Sequence, residues 1–365
     1  MHLNTNANIN KIKLSNHGFN ILQIESTAAC NMACSFCPYP LKDDKISKLA
    51  TDKIYKIIDQ IDSEDENFKY VTFSQFNEPL LDSRIFEITK YAQDKNLKVL
   101  FITNGLLLNK EKNIENLLEL KPNIKISLQV IDQTKHKGAR GLNMELEKYI
   151  DTIINFCKIA KDKPMNITID VGCNFAGNRF KNIVKKFLGL QTGDPSVPDS
   201  AIETLRQFNQ HLKKFHNIAS DNYKSKLQNI MDKNLEKNIF KPDYIFQEGY
   251  KIFDNITLKI KPFFYGRRIS EFEPINDNFA CNSEILGVLA DGNVLPCCLA
   301  YDDEISLGNV KHKNLQNILK DGENFLFNLR NKNKKKHDVC KKCFGEPTKR
   351  GSIIRNLYNL IKRNN

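Results

Sequence analysis

The sequence predicts an α/β fold built on a parallel sheet, and two observations predict it. From Phe19 to about Val171, short apolar runs rich in Ile, Val and Phe alternate with longer amphipathic segments, the rhythm of β–α units. Each apolar run then ends in a polar or cysteine-bearing loop, and in barrel-like α/β folds such loops converge on one site at the C-terminal strand ends.

Strands are expected at Asn20 to Glu25, Tyr70 to Phe73, Val99 to Thr103, Ile124 to Leu128 and Ile167 to Val171. Helical apolar spacing runs over Thr51 to Ile61, Ser83 to Asp94 and Met144 to Ala160. The stretch from Gln191 to Gly249 breaks the rhythm. It opens on Thr-Gly-Asp-Pro-Ser-Val-Pro-Asp-Ser and continues through two helical patterns, one with Ile202, Leu205, Phe208 and Leu212 on a face, the other with Leu227, Ile230, Met231 and Leu235. Two readings stand for this insertion: a lid over the site or a peripheral helical hairpin. A further strand at Thr257 to Phe263 restores the pattern, and a cysteine-rich tail starts near Phe279. The organisation expected is therefore an N-terminal extension over 1–18, a main α/β domain over 19–278 with the insertion at 191–249, and a small domain over 279–365.

Composition sets bounds on function. The 365-residue chain carries 55 Lys and Arg against 43 Asp and Glu, a net charge of +12. The lysines are spread along the chain rather than gathered into a stripe with interleaved aromatics, so they read as solvated faces, and nucleic acid is not the expected partner. An acidic substrate remains compatible with this charge. The polar first residues lack an apolar signal core, and no run is long enough to span a bilayer, so the expectation is a cytoplasmic protein without a membrane partner. Ten cysteines in a reducing compartment point to metal or redox chemistry rather than disulfides.

The cysteines cluster twice. Directly after the first strand stands Ala29-Cys-Asn-Met-Ala-Cys-Ser-Phe-Cys-Pro38, with Cys30, Cys34 and Cys37 within eight residues. Three thiolates hold three irons of a four-iron cubane and leave the fourth able to take a small molecule. Closely spaced cysteines also serve zinc. The companions of this loop decide between the metals. Ser74-Gln-Phe-Asn-Glu-Pro79 follows the second strand, Ile102-Thr-Asn-Gly105 the third, Ser127-Leu-Gln129 the fourth and Asp170-Val-Gly-Cys-Asn174 the fifth.

This ordered set resembles the radical S-adenosylmethionine (radical SAM) superfamily over roughly Phe19 to Val171. The resemblance implies a partial (β/α)6 TIM-like barrel in which Cys30, Cys34 and Cys37 hold a [4Fe-4S] cluster and its open iron chelates the amine and carboxylate of SAM. By the same resemblance Ser74 to Pro79 stands for the Gly-Gly-Glu-Pro loop. Glu78 matches it, Phe76 and Asn77 replace its glycines, and Gln75, Asn77 and Glu78 would receive the methionine ammonium. Thr103, Asn104, Ser127 and Gln129 would line the cofactor, Val171 would hold adenine through its backbone, and Phe36 would pack on the adenine or shield the cluster. A flavodoxin- or ferredoxin-type protein would donate the electron.

The tail offers Cys281, Cys297, Cys340 and Cys343, with Cys298 as the alternative to Cys297, for a closed tetrathiolate site, which zinc or iron–sulfur could fill. Its Gly-x4-Cys step and final Cys-x2-Cys resemble the Twitch form of SPASM domains, which implies one auxiliary [4Fe-4S] cluster. Cys157 reads as core. Cys173 and Cys298 are candidate hydrogen-atom donors to a substrate radical, as in epimerases of the superfamily, with a small buried residue as the competing reading for Cys173. His136, Arg140, Tyr265, Arg267 and Arg268 are candidate cations and polar groups for a substrate carboxylate or phosphate.

The activity implied is reductive cleavage of SAM to a 5′-deoxyadenosyl radical that takes hydrogen from a small polar substrate. A sugar, aminosugar or nucleotide-linked sugar is the substrate expected, with oxidation or epimerisation as the outcome. The alternatives are a maturase acting on a peptide or protein side chain and a non-catalytic metal- or RNA-binding protein.

Overall fold

The structure, a computed structural model, describes residues 11–141, 145–173, 187–188, 201–232, 249–262, 272–297, 299–301, 303–346 and 348–361. It resolves into two compact units that each draw on distant parts of the chain: Met1–Cys30, Lys42–Phe101 and Ala280–Lys335 form the first, and Asn31–Leu41, Ile102–Phe279 and Lys336–Asn365 the second. This partition differs from the expected boundaries, because residues 280–335 of the tail pack with the first strands rather than apart from them.

The first unit holds a five-stranded mixed sheet. Strand β1 (Ile21–Ile24) pairs in parallel with β2 (Tyr70–Thr72) on one side. Three later strands enter the same sheet. They are β8 (Ile285–Val288), parallel to β1, then β9 (Asn293–Leu295) and β10 (Gly308–Asn309), both antiparallel to their neighbours. The register places Leu22 and Ile24 beside Leu286 and Val288, all fully buried, so one sheet face is continuous core. Helices α1 (Thr51–Gln60) and α2 (Ile85–Asp94) contribute Ile54, Ile57, Ile58, Ile85 and Ile88 to the buried set.

The second sheet runs β3 (Leu100–Thr103), β4 (Asn123–Gln129), β5 (Ile167–Cys173), β7 (Ile256–Pro262), with β6 (Tyr250–Phe253) at its edge. The division between units falls within β3. Strands β4, β5 and β7 are parallel in register, and β6 folds back on β7. These strands put apolar side chains on one face and, apart from the buried end of β5, more exposed polar ones on the other. Ile124, Ile126, Leu128, Ile167, Ile169, Val171, Ile256, Leu258 and Ile260 are at most 1 % exposed, whereas Lys125, Ser127, Thr168, Lys259 and Lys261 on the other face are half-buried. Helix α5 (Leu146–Ala160) lies on the apolar face, where Ile153 and Ile126 flank Gly105. The Asn255 amide donates to the carbonyls of Ala160, Lys163 and Met165 at 3.0, 3.0 and 3.1 Å, closing the end of that helix.

All six expected strands form, each within one or two residues of its sequence limits. Among the strands and α-helices described over 19–278, three escape the periodicity argument: β6, α3 (Glu111–Leu120) and α4 (Gln133–Arg140). Only Leu117 of α3 is buried, and α4, Gln-Thr-Lys-His-Lys-Gly-Ala-Arg, has almost no apolar face to count. Its N-cap is nonetheless well built, since Asp132 accepts from Thr134 N at 2.8 Å and Lys135 N at 3.2 Å.

The insertion contains helices Ala201–Ile218 and Asp221–Asp232. Phe208, Leu212 and Leu227 are buried as their spacing required, and the longer helix packs on α5, β5, β6 and β7. Lys214 pairs with Asp151 of α5 at 2.8 Å. The helical pair therefore forms a packed layer of the second unit. Leu235 lies outside the described residues.

Candidate active site

The cluster loop leaves the end of β1, with Cys30 in the first unit and Cys34 and Cys37 in the second. Within the first unit, Glu78 N donates to Ala29 O at 3.0 Å, tying the residue before Cys30 to the loop after β2. Asn77 shapes that loop with its side chain: its Oδ1 accepts from Gln75 N at 2.9 Å and its Nδ2 donates to Phe73 O at 3.1 Å. The amide thus supplies locally the turn that glycines would otherwise permit. Glu78 is 1 % exposed, and one of its carboxylate oxygens accepts from Leu80 N at 3.1 Å, capping the short turn Pro79–Leu81.

Sequence reasoning missed the buried organiser of this corner, Glu25. It is fully buried, and Lys42 Nζ lies 2.8 and 2.6 Å from its two oxygens. Phe76 N donates to Oε1 at 3.3 Å and Ala290 N to Oε2 at 3.1 Å. Burial pushes this carboxyl up from its ordinary range, while Lys42 and the two amides oppose the shift. Glu25 thereby joins the residue after the cluster loop, the loop after β2 and the turn after β8. Its signal in the sequence is a glutamate closing the otherwise buried strand Ile-Leu-Gln-Ile.

Within the second unit the loop docks on the end of α4. Ala33 N donates to Arg140 O at 3.1 Å and Ser35 N to Ala139 O at 2.8 Å, while Phe36 packs on Val130 and Ala139. The Arg140 guanidinium sits 5.7 Å from the centre of the Phe36 ring and donates to Ser127 O at 2.9 Å. Arg140 is 1 % exposed, so its place is inside this support rather than in open reach of a substrate. His136 is fully buried beside Tyr149, with Nδ1 3.4 Å from Val130 O. Burial, reinforced by the Arg140 charge, lowers its pKa to about 4, so at neutral pH it is an uncharged ring in a packed site. Both residues were expected at the substrate; the structure places them buried, packed against Phe36 and Tyr149.

Of the polar residues at the ends of β3 and β4, Asn104 reaches the cluster loop and the others bond within their own turns. Asn104 Nδ2 donates to Asn31 Oδ1 at 2.7 Å, and its own Oδ1 accepts from Leu106 N at 2.9 Å. Thr103 Oγ1 accepts from Gly105 N at 3.0 Å. At the end of β4 the register slips between Ser127 and Gln129, and Gln129 takes a positive φ of 57° with its Nε2 on Ser127 Oγ at 3.0 Å. A non-glycine residue in that region, beside a bulge, marks a strand end shaped for something other than pairing.

The thiols themselves fit an iron–sulfur site by their chemistry. Cys30, Cys34 and Cys37 stand outside any disulfide, Cys37 N closes a turn on Cys34 O at 3.1 Å, and Tyr39 N donates to Cys37 Sγ at 3.4 Å. Burial pushes the Cys34 thiol up, and the Arg140 charge opposes it in favour of the thiolate a metal needs. Among the described residues no three His, Cys, Asp or Glu side chains converge in a metal-binding geometry. In the tail, Cys281 and Cys297 belong to the first unit and Cys340 and Cys343, on helix Asp338–Cys343, to the second. Burial raises the Cys297 thiol, and a smaller contribution comes from Cys281.

Two expectations change. Cys173 falls with Ile169 and Val171 on the helix-covered face of β5, is fully buried, and its thiol donates to Lys261 O at 3.2 Å. It therefore does not share the polar sheet face. Val171 has its backbone in the β4–β5–β7 ladder. Cys298, Tyr265, Arg267 and Arg268 lie outside the described residues.

A three-thiolate loop following a parallel strand, in an α/β chain whose other strands end in polar loops, has the donor chemistry for an iron–sulfur cluster with an open iron. The family comparison agrees: residues 24–187 match the radical SAM superfamily model and residues 281–344 the SPASM iron–sulfur cluster-binding domain model. The chain is a radical SAM enzyme with a C-terminal SPASM domain. Its cofactors are SAM, the [4Fe-4S] cluster that binds it, and iron–sulfur ligation in the tail.

An AdoMet-dependent heme synthase of Methanosarcina barkeri (strain Fusaro / DSM 804) is 29 % identical over 126 residues, a match spanning 34 % of this chain and 35 % of that protein. Solved structures with low similarity include BtrN in complex with AdoMet and 2-DOIA, at 13 % identity, coverage of 88 % and 92 %, and a TM-score of 0.46. Streptococcus suis SuiB bound to precursor peptide SuiA gives 15 %, 84 % and 66 %, and 0.46. Native anSMEcpe with bound AdoMet gives 17 %, 94 % and 97 %, and 0.45. No helix among the described residues is long and apolar enough to cross a membrane.

Proposed function

We propose that the enzyme abstracts hydrogen from a small polar substrate, a sugar, aminosugar or nucleotide-linked sugar, and that the product is oxidised. The carrying observation is the polar face of β4, β5 and β7: Lys125, Ser127, Thr168, Asp170, Lys259 and Lys261 line it in register. Such a surface suits hydroxyls and charged groups better than an extended apolar chain. With SAM bound, the cluster supplies a 5′-deoxyadenosyl radical as the hydrogen acceptor.

In the first unit Glu78 and the Gln75–Asn77 turn, beside the buried Phe76, offer acceptors for an ammonium; in the second, Ser127 and Gln129 offer hydroxyl and amide partners. Of the two candidate donor thiols that inversion would use, Cys173 lies on the opposite sheet face, which supports oxidation, and Cys298 lies outside the described residues. Loss of one electron and of the proton on the substrate's hydroxyl oxygen then completes the oxidation to a carbonyl, and iron–sulfur ligation by the tail cysteines would supply an acceptor for that electron.

Anaerobically reconstituted protein, incubated with uniformly deuterated glucosamine, its 6-phosphate and UDP-N-acetylglucosamine, tests this reading. Deuterium in 5′-deoxyadenosine from one of them, absent from the Cys30→Ala, Cys34→Ala, Cys37→Ala triple variant, is the expected result. Deuterium arriving from a peptide and from no carbohydrate would replace the reading with that of a peptide maturase.

A further inference from the structure

The polar face of the second sheet carries more positive charge than it pairs. Lys261 Nζ meets Asp170 Oδ2 at 2.5 Å, which accounts for one cation and one anion. Register sets Lys259 directly beside Asp170 and Lys261 beside Gly172, while Lys125 lies one step earlier on β4, next to Thr168. Neighbouring strands stand about 4.8 Å apart and same-face residues about 6.7 Å apart along a strand, so the three ammonium groups share a patch within reach of one small ligand. Asp170 is the single carboxylate there among the described residues. It is 3 % exposed, and its Oδ1 is buried with no hydrogen-bond partner among the described residues.

Neither Lys125 nor Lys259 has an ion pair or a side-chain hydrogen bond among the described residues. Burial lowers the pKa of Lys125, Lys261 and Lys259 lower it further, and Asp170 only partly opposes them. Half-buried lysines facing one another across a sheet destabilise a fold unless an anion completes the set. The helix-covered face of the same strands is wholly apolar, so the charges are not a by-product of a generally polar sheet.

We propose that Lys125 and Lys259, flanking the Lys261–Asp170 pair, form an oxyanion subsite that holds a phosphate or carboxylate carried by the substrate. Thr168 and Thr257, side by side on the rung of Lys125, add hydroxyl donors. The inference deepens the small-polar-substrate reading and rests on it for the identity of the ligand, but not for the presence of an anion site. A neutral sugar would leave two cations uncompensated, whereas a sugar phosphate or uronate would satisfy them.

The test is calorimetric titration of reconstituted, SAM-loaded enzyme with glucosamine 6-phosphate, glucuronate and glucosamine. Binding of the phosphate or the uronate at least tenfold tighter than glucosamine is expected, and which of the two binds better identifies the anion. Lys125→Met and Lys259→Met should each weaken the preferred anion by about tenfold and so narrow its advantage over glucosamine. In ligand-free protein Lys125→Met should raise the unfolding temperature, a readout that needs no ligand. Equal binding of all three probes, or anion binding indifferent to both substitutions, would overturn the subsite. Anion binding that depends on the lysines, without deuterium transfer from any carbohydrate, would retain the subsite and overturn the sugar reading.

Discussion

Replacing Glu25 by glutamine is the sharpest perturbation of the support under the cluster loop. The substitution keeps shape and one acceptor oxygen but puts an NH2 group where a carboxylate oxygen now receives a donor. Four hydrogen bonds converge on the two oxygens: Lys42 at 2.8 and 2.6 Å, Phe76 N at 3.3 Å and Ala290 N at 3.1 Å. Lys42 is itself 6 % exposed, so the variant leaves a buried ammonium without its counter-charge and sets one donor against another.

Breaking one side of a buried pair costs about 3–5 kcal/mol. At a urea slope of ~2 kcal/mol per M, that is a midpoint lowered by about 2 M. The chain contains no tryptophan, so far-UV circular dichroism is the natural probe. Iron content after anaerobic reconstitution should fall in parallel, because Phe76 and Lys42 flank the loops that frame Cys30. Lys42→Met added to Glu25→Gln should recover part of the loss, since the stranded charge is then gone. A loss below about 1 kcal/mol in Glu25→Gln would refute the argument that this pair organises the corner.

Two further perturbations address the second anchor. Gly141 ends α4 at φ +61°, and a Cβ there would lie 2.7 Å from both Ala33 O and Ala33 Cβ; Gly141→Ala should cost about 2 kcal/mol or more and lower iron retention, measured by iron assay and urea unfolding. His136 titrates near 4 when folded against 6.5 ordinarily, so the unfolded chain binds the extra proton between those values and stability falls as pH drops through that window. From pH 7.5 to pH 5 the loss attributable to this ring is on the order of 2 kcal/mol, and His136→Phe should remove that part of the acid slope in denaturant titrations.

The parallel strands were legible because their signal is local: alternation and β-branched runs persist whatever the rest of the chain does. The thiolate loop and the Thr103–Gly105 turn were legible for the same reason, since their residue types stand side by side. Helix α4 was not, because its stability comes from the Asp132 cap and from burying His136 and Arg140, two residues that no apolar count would enlist. The partition of the tail was also hidden. Nothing near Ile285 announces that it will pair with Ile21, some 260 positions earlier along the chain.

Glu25 and Arg140 show what separates the two kinds of residue. Both are buried charges, and each holds a different stretch of the same loop: Glu25 through Lys42 and Phe76, Arg140 through its own carbonyl on Ala33 N and its guanidinium over Phe36. A buried charge is tolerated only where its partners are fixed, and those partners lie 17, 51 and 265 residues away for Glu25. Neither residue is required by the chemistry of a thiolate, so neither falls within a ligand motif. The cysteines specify which metal can be held, and these two ions specify where the backbone that carries them rests. It follows that Glu25→Gln and Arg140→Met should impair cluster retention independently, and that free energies lost in the two variants should add when they are combined.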